Sequence, residues 1–198
     1  MLGPPRINKI QTLLGKFFLT MMGWKVDGSV PNLPKFVLIF APHTSAWDLP
    51  LLLAVSYTLG VKGNWFGKQE IFQWPVGILF KWLGGIPIDR SSPLNTVRQT
   101  TQMILECEQI IIGISPEGTR SKSNYWKTGF YYIAHKTKVP ILLAYLDYER
   151  KVGGVGPVME ITGDIETDMK FIRKLYTGIT ARHPEKAGRI TIKPRTVR

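Results

Sequence analysis

The stretch at 109–115, QIIIGIS, decides the fold class. Its β-branched run is of strand type, and Pro116 closes it immediately afterwards. Upstream, 93–108 opens with a proline after two serines, a good helix start, and carries no further proline. A second apolar run, KFVLIFA at 35–41, reads as another buried strand, followed by a turn and a helix over 49–59. Between them the pattern predicts a strand at 61–66, a helix at 74–83 and a short strand at 86–89. Downstream it predicts a helix at 128–138, strands at 139–147 and 158–162, and a last helix at 167–181. Strands and helices that alternate in this way define an α/β domain, with a largely parallel, mixed sheet flanked by helices. Ligands of such sheets gather beyond the carboxyl ends of the strands.

Bulk properties narrow the class. The chain of 198 residues suits one domain, and a hydrophobic fraction of 44% with 20% charged residues excludes a disordered chain. Lys and Arg number 26 against 14 acidic residues, a net charge of +12, which calls for a polyanionic partner or serves solubility alone. Nucleic acid is the weakest of the candidate partners. No recognition motif is present, and the basic residues are spread rather than gathered on one helix. The single cysteine, Cys107, excludes an internal disulfide and a Cys-based metal site, and it reads as a packing residue.

No apolar run reaches the roughly 20 residues that a membrane span needs, so membrane association is expected to be peripheral. Residues 7–22 form an amphipathic helix, with Ile10, Leu14, Phe17, Phe18 and Met21 at helical spacing and Lys9 and Lys16 on other faces. Such a helix either lies in a membrane interface or packs on the domain's own core. Trp24 and Lys25, just beyond it, are of the interfacial-anchor type. The expected organisation is an N-terminal membrane-association segment, 1–30, and a main domain, 31–198.

Three segments could carry chemistry. The first, Pro42-His43-Thr44-Ser45-Ala46-Trp47-Asp48, follows a core strand. An imidazole held by a carboxylate makes a base from a neutral side chain. On one helix the two residues would point apart. They meet only if His43 lies in the turn and Asp48 in the first helical turn. The same residues also read as a capping box running from Ser45 to Asp48, with His43 a mere turn residue. The second segment, Ser115-Pro116-Glu117-Gly118-Thr119-Arg120-Ser121, offers a glycine suited to positive φ and a guanidinium with two hydroxyls, matched to phosphate. It is neither a Walker loop nor a nucleophile elbow. The third, Gly84-Gly85-Ile86-Pro87-Ile88-Asp89-Arg90, ends a short strand on an arginine. His135 and His183 lack a well-spaced acid.

Taken in order, His-x4-Asp, Gly-x-Ile-x3-Arg (Gly84 to Arg90), Glu-Gly-Thr-Arg-Ser and Val139-Pro140-Ile141 resemble the glycerolipid acyltransferases. The similarity is strongest to the bacterial 1-acylglycerol-3-phosphate (lysophosphatidic acid) acyltransferases. The stretch Gly67-Lys68-Gln69-Glu70-Ile71-Phe72 is similar to the family's connection between its first two motifs, and the likeness spans about 36–146. Pro42, where the family usually has Asn, and the bulky Trp47 are departures beside the pair.

The resemblance implies a glycerol-3-phosphate acyltransferase-like fold and transfer of a fatty acyl group from a thioester to the hydroxyl of a lysophospholipid. In that reading His43 is the general base and Asp48 its orienting partner. Lys68, Arg90 and Arg120 hold the acceptor phosphate, and Glu117, Gly118 and Thr119 shape the pocket. The donor is acyl-CoA or an acyl-carrier protein. No metal, other cofactor or covalent enzyme intermediate is required, because a thiolate leaves readily. The expected setting is the cytoplasmic face of the cell membrane, peripherally on an anionic surface. Lyso-ornithine lipids are an alternative acceptor class within the family. A non-catalytic lipid-binding protein is the alternative outside catalysis, and the intact His43, Asp48, Glu117 and Arg120 argue against it.

Overall fold

The computed structural model describes residues 2–88 and 92–194. Seven strands form one sheet in the order β1-β7-β6-β2-β5-β3-β4. In chain order the strands are β1 (Lys25–Asp27), β2 (Lys35–Phe40), β3 (Asn64–Gly67), β4 (Gly85–Pro87), β5 (Ile110–Ile114), β6 (Ile141–Asp147) and β7 (Val152–Met159). The helices are α1 (Lys9–Met21), α2 (Asp48–Thr58), α3 (Val76–Trp82), α4 (Pro93–Glu106), α5 (Gly129–Thr137) and α6 (Ile165–Tyr176). All pairings are parallel except that of β6 with β7. The α/β domain with a largely parallel, mixed sheet is therefore what the alternation of elements implied.

The central strands carry the core because their apolar residues face helices on both sides. Val37, Ile39, Ile112, Ile141, Leu142 and Leu143 are all essentially inaccessible to water. The buried Tyr176 of α6 places its hydroxyl between the carbonyls of Ile39 and Ala144, at 3.0 and 2.9 Å, and so ties the helix to β2 and β6.

The sheet departs from the sequence reading at its β7 edge. β7 starts at Val152, six positions before the expected strand, and β1 joins it in parallel. Glycines hide this part of β7. A side chain on Gly154 would lie 2.4 Å from the Asp27 carbonyl oxygen of β1, and one on Gly153 would lie 2.6 Å from Val55 of α2. The residues that lower strand propensity here are the ones that let neighbours approach. The last helix also differs, beginning at Ile165 behind the Asp164 cap and ending at Tyr176. Residues 177–181 are thus released to the extended C-terminal segment.

α1 starts at a reciprocal cap. Asn8 Oδ1 accepts from the Gln11 backbone N–H at 2.8 Å, and the Gln11 side chain accepts from the Asn8 N–H at 3.3 Å. One face of the helix packs on the domain, and the other is exposed. Gly15 and Leu19 bury one face, where a β-carbon on Gly15 would lie 2.8 Å from the Ala54 carbonyl of α2. The opposite face presents Ile10, Leu13, Leu14, Phe17 and Met21 to solvent, with Phe17 64% exposed. Of the expected stripe only Phe18 turns inward. α3 and its approach add Trp74, Ile78, Leu79 and Trp82, and Trp74 is 83% exposed. Trp24 is not an anchor of this surface. It is buried and meets Tyr148 edge-to-face at 5.0 Å. Among the described residues no helix is long and apolar enough to cross a membrane.

Candidate active site

The parallel run β2-β5-β3 brings three of the predicted segments to one edge, because His43, Glu117 and Lys68 each follow the carboxyl end of a neighbouring strand. Arg90 lies outside the described residues.

His43 sits in the turn after β2, and Asp48 is the first residue of α2. His43 Nδ1 lies 2.9 Å from Asp48 Oδ2. The same oxygen accepts the backbone N–H groups of Thr44 and Ser45, both at 2.9 Å. Ser45 Oγ in turn accepts from the Trp47 N–H at 3.2 Å. The cap-like and dyad readings therefore coexist: one carboxylate fastens the start of the helix and holds the imidazole. Asp48 is 1% exposed. Burial alone would raise its pKa, but hydrogen bonds from His43, Tyr148 and Ser45 hold the carboxyl below the usual range. An ionised Asp48 makes Nδ1 the donor, so the proton-free nitrogen of a neutral His43 is Nε2. His43 keeps 20% of its side chain exposed, enough for Nε2 to meet a ligand.

The Glu117 side chain turns inward rather than towards a ligand. It is 4% exposed, and its Oε2 accepts the His43 backbone N–H at 2.7 Å. Burial pushes its carboxyl pKa up, and the backbone N–H groups of His43 and Gly188 offset part of that rise. Gly118 has φ +65°, the left-handed backbone expected from its sequence. Thr119 Oγ1 accepts from the Ser121 N–H at 3.2 Å and shapes the turn that carries Arg120. A cavity of about 250 Å³ opens here, lined by residues 44–46, Arg120, Ser121, His183 and Lys186. Lys68 is exposed at the end of β3 and does not line it. A larger cavity of about 440 Å³, between Lys122 to Tyr125 and Arg189, touches no residue of the His43–Asp48 turn. The smaller cavity is lined by the residues that follow His43, although not by His43 itself.

Several participants carry no local sequence signal. Tyr148, after β6, donates its hydroxyl to Asp48 Oδ1 at 2.6 Å. Burial and that hydrogen bond raise the tyrosine's own pKa well above its usual value. Arg182 lies over the rings of Trp47 and Tyr148, its Cζ 5.6 and 5.9 Å from their centroids. That contact accounts for the bulky Trp47. His183, set aside on sequence grounds, donates its backbone N–H to Thr44 Oγ1 at 3.2 Å and lines the cavity.

The α/β architecture thus sets a histidine–aspartate pair at one strand end and an arginine-bearing turn after the adjacent strand. The acyltransferase family model matches residues 27–145, more than half of the chain, and the protein belongs to that family of enzymes. Among solved structures it is similar to the 1-acyl-sn-glycerophosphate (LPA) acyltransferase PlsC from Thermotoga maritima. That likeness has a TM-score of 0.60 at 20% identity and covers 84% of this chain and 75% of the other, a shared fold. A search of curated proteins gives no significant match.

Proposed function

We propose that the protein transfers a fatty acyl group from an acyl thioester to the free hydroxyl of a lysophospholipid, with 1-acylglycerol-3-phosphate as the acceptor. The observation that carries this reading is the Asp48-held His43, whose Nε2 is left as the base and whose following residues, 44–46, line a cavity with Arg120 and Lys186. Nε2 removes the proton as the acceptor oxygen attacks the thioester carbonyl. The tetrahedral oxyanion collapses, the carbon–sulfur bond breaks, and the imidazolium returns its proton to the departing thiolate. Asp48 stabilises that imidazolium and fixes its orientation.

Arg120 is the phosphate ligand of this scheme, since a guanidinium fork matches a phosphate monoester. Glu117 acts by holding the His43 backbone and Gly118 by permitting the turn. Lys68, exposed at the end of β3, is a further cation near that strand end, and Arg90 keeps the phosphate-binding role that the family resemblance gives it. The donor is acyl-CoA or an acyl-carrier protein, both acidic enough to suit a chain of net charge +12.

The outward stripe of α1, with Trp74, Ile78 and Trp82, supports docking on an anionic membrane surface where such acceptors reside. The Thermotoga maritima protein of similar fold is a 1-acyl-sn-glycerophosphate acyltransferase, which supports the same acceptor. The test offers purified protein a panel of lysolipids, with and without phosphate, with both donor types, and identifies products by mass. Phosphatidic acid from 1-acylglycerol-3-phosphate is the expected product. Acylation confined to acceptors without phosphate would reject this assignment.

A further inference from the structure

The C-terminal segment 177–192, beyond the residues matched by the family model, crosses the catalytic end as a strap. It is fastened along its length. The Tyr148 N–H donates to the Thr180 carbonyl at 2.9 Å, the His183 N–H to Thr44 Oγ1 at 3.2 Å and the Trp126 N–H to the Thr191 carbonyl at 2.7 Å. The Gly188 N–H reaches the Glu117 carboxylate. Ala181 and Ile192 are buried near its two ends. Between those anchors the strap turns at Pro184–Lys186 and presents Lys186 and His183 to the cavity that Arg120 and Ser121 line from the other side.

Three features of this placement point to an anionic ligand. Lys186 and Arg120 approach one small cavity from segments far apart in sequence. Among the described residues neither forms a salt bridge or a side-chain hydrogen bond. The remaining lining is Ser121, His183 and residues 44–46, with three hydroxyl groups among them. Two unneutralised cations converging beside hydroxyl donors suit a doubly charged phosphate monoester.

Resting on the lysophospholipid acceptor proposed above, we infer that Lys186 is the second arm of the acceptor's phosphate clamp, opposite Arg120. The strap is thus part of the substrate site. The lysine grips a group remote from the reacting hydroxyl, so it acts on acceptor binding rather than on the chemical step.

The test compares the full-length wild type with Lys186→Ala and Lys186→Arg. It uses 1-acylglycerol-3-phosphate in mixed micelles, with inorganic phosphate as the competing probe. Lys186→Ala is expected to raise the acceptor KM about 10-fold or more and to weaken competition by inorganic phosphate in parallel, with kcat within about twofold. Lys186→Arg should restore both. An unchanged KM and unchanged phosphate competition in Lys186→Ala would overturn the clamp while leaving the acyltransferase reading in place. A fall in kcat at constant KM would also overturn it, since it would mark a merely structural role. A wild type that acylates no phosphate-bearing acceptor would overturn both the clamp and the acceptor assignment.

Discussion

Two buried aspartates, Asp48 and Asp168, lie in the first turns of α2 and α6, at 1% and 3% exposure. Each accepts a tyrosine hydroxyl, from Tyr148 at 2.6 Å and from Tyr131 at 2.9 Å. Each also accepts backbone N–H groups from the chain just before its helix: Thr44 and Ser45 for Asp48, Thr162 for Asp168. They differ in the last partner. Asp168 closes on the Thr162 hydroxyl at 3.0 Å, whereas Asp48 holds an imidazole that keeps 20% of its side chain exposed. A buried, multiply bonded aspartate is ordinary helix-start architecture. Adding a histidine within reach and a route to solvent turns the same arrangement into a base.

The largest expected effect separates the two aspartates directly. Asp48→Asn should lower acyl transfer by about 10²–10⁴-fold, the range of a general-base contribution. Asp168→Asn should leave turnover of the folded protein within about twofold and lower unfolding free energy by about 1–3 kcal/mol. Turnover assays paired with urea unfolding read both, and loss of turnover in Asp168→Asn at unchanged stability would erase the distinction.

The tyrosines give a smaller, sharper contrast. Tyr148 donates to Asp48 and partly neutralises its charge. Without it Asp48 loses one of the hydrogen bonds that hold its carboxyl below the usual range, so Tyr148→Phe should shift the acid limb of the kcat/KM profile to higher pH. Tyr131→Phe should cost about 1 kcal/mol of stability and leave the profile in place.

The smallest effect concerns the other carboxylate at the site. Asp48, with its pKa depressed below 3.8, contributes stability that is present above that value and lost as pH falls through the depressed one. Glu117 has the opposite sign. Its pKa is raised above 4.5, so its contribution is complete below 4.5 and lost as pH rises through the raised value. Glu117→Gln keeps an acceptor for the His43 N–H and removes the buried charge. Scanning calorimetry should show Tm raised by roughly 2–4 °C at pH 8 and little changed at pH 4, about 1 kcal/mol in a domain of this size. A lower Tm at pH 8 with no change at pH 4 would mean that the charge itself is needed.

Much of this was legible in the residues. The apolar runs that became β2 and β5 lie where the periodicity put them, and the condition for His43 to meet Asp48, one in the turn and one in the first helical turn, is met. Other features were hidden for physical reasons. The first half of β7 is built around Gly153, Gly154 and Gly156, chosen for close approach rather than strand propensity. Trp24 looked like an interfacial residue but spends its ring on Tyr148. Tyr148 acts on Asp48 from 100 positions away, and Arg182 and Lys186 reach the site only because the strap folds back across it.

The most direct measurement follows free thiol released from an acyl thioester, with and without lysophospholipid acceptor, in the wild type and in His43→Ala. Wild-type release should depend on the acceptor, and His43→Ala should reduce that acceptor-dependent rate by about 10²–10⁴-fold while its thermal unfolding stays the same. Acceptor-dependent release at an undiminished rate in His43→Ala would contradict the central claim that this histidine, held by Asp48, is the base.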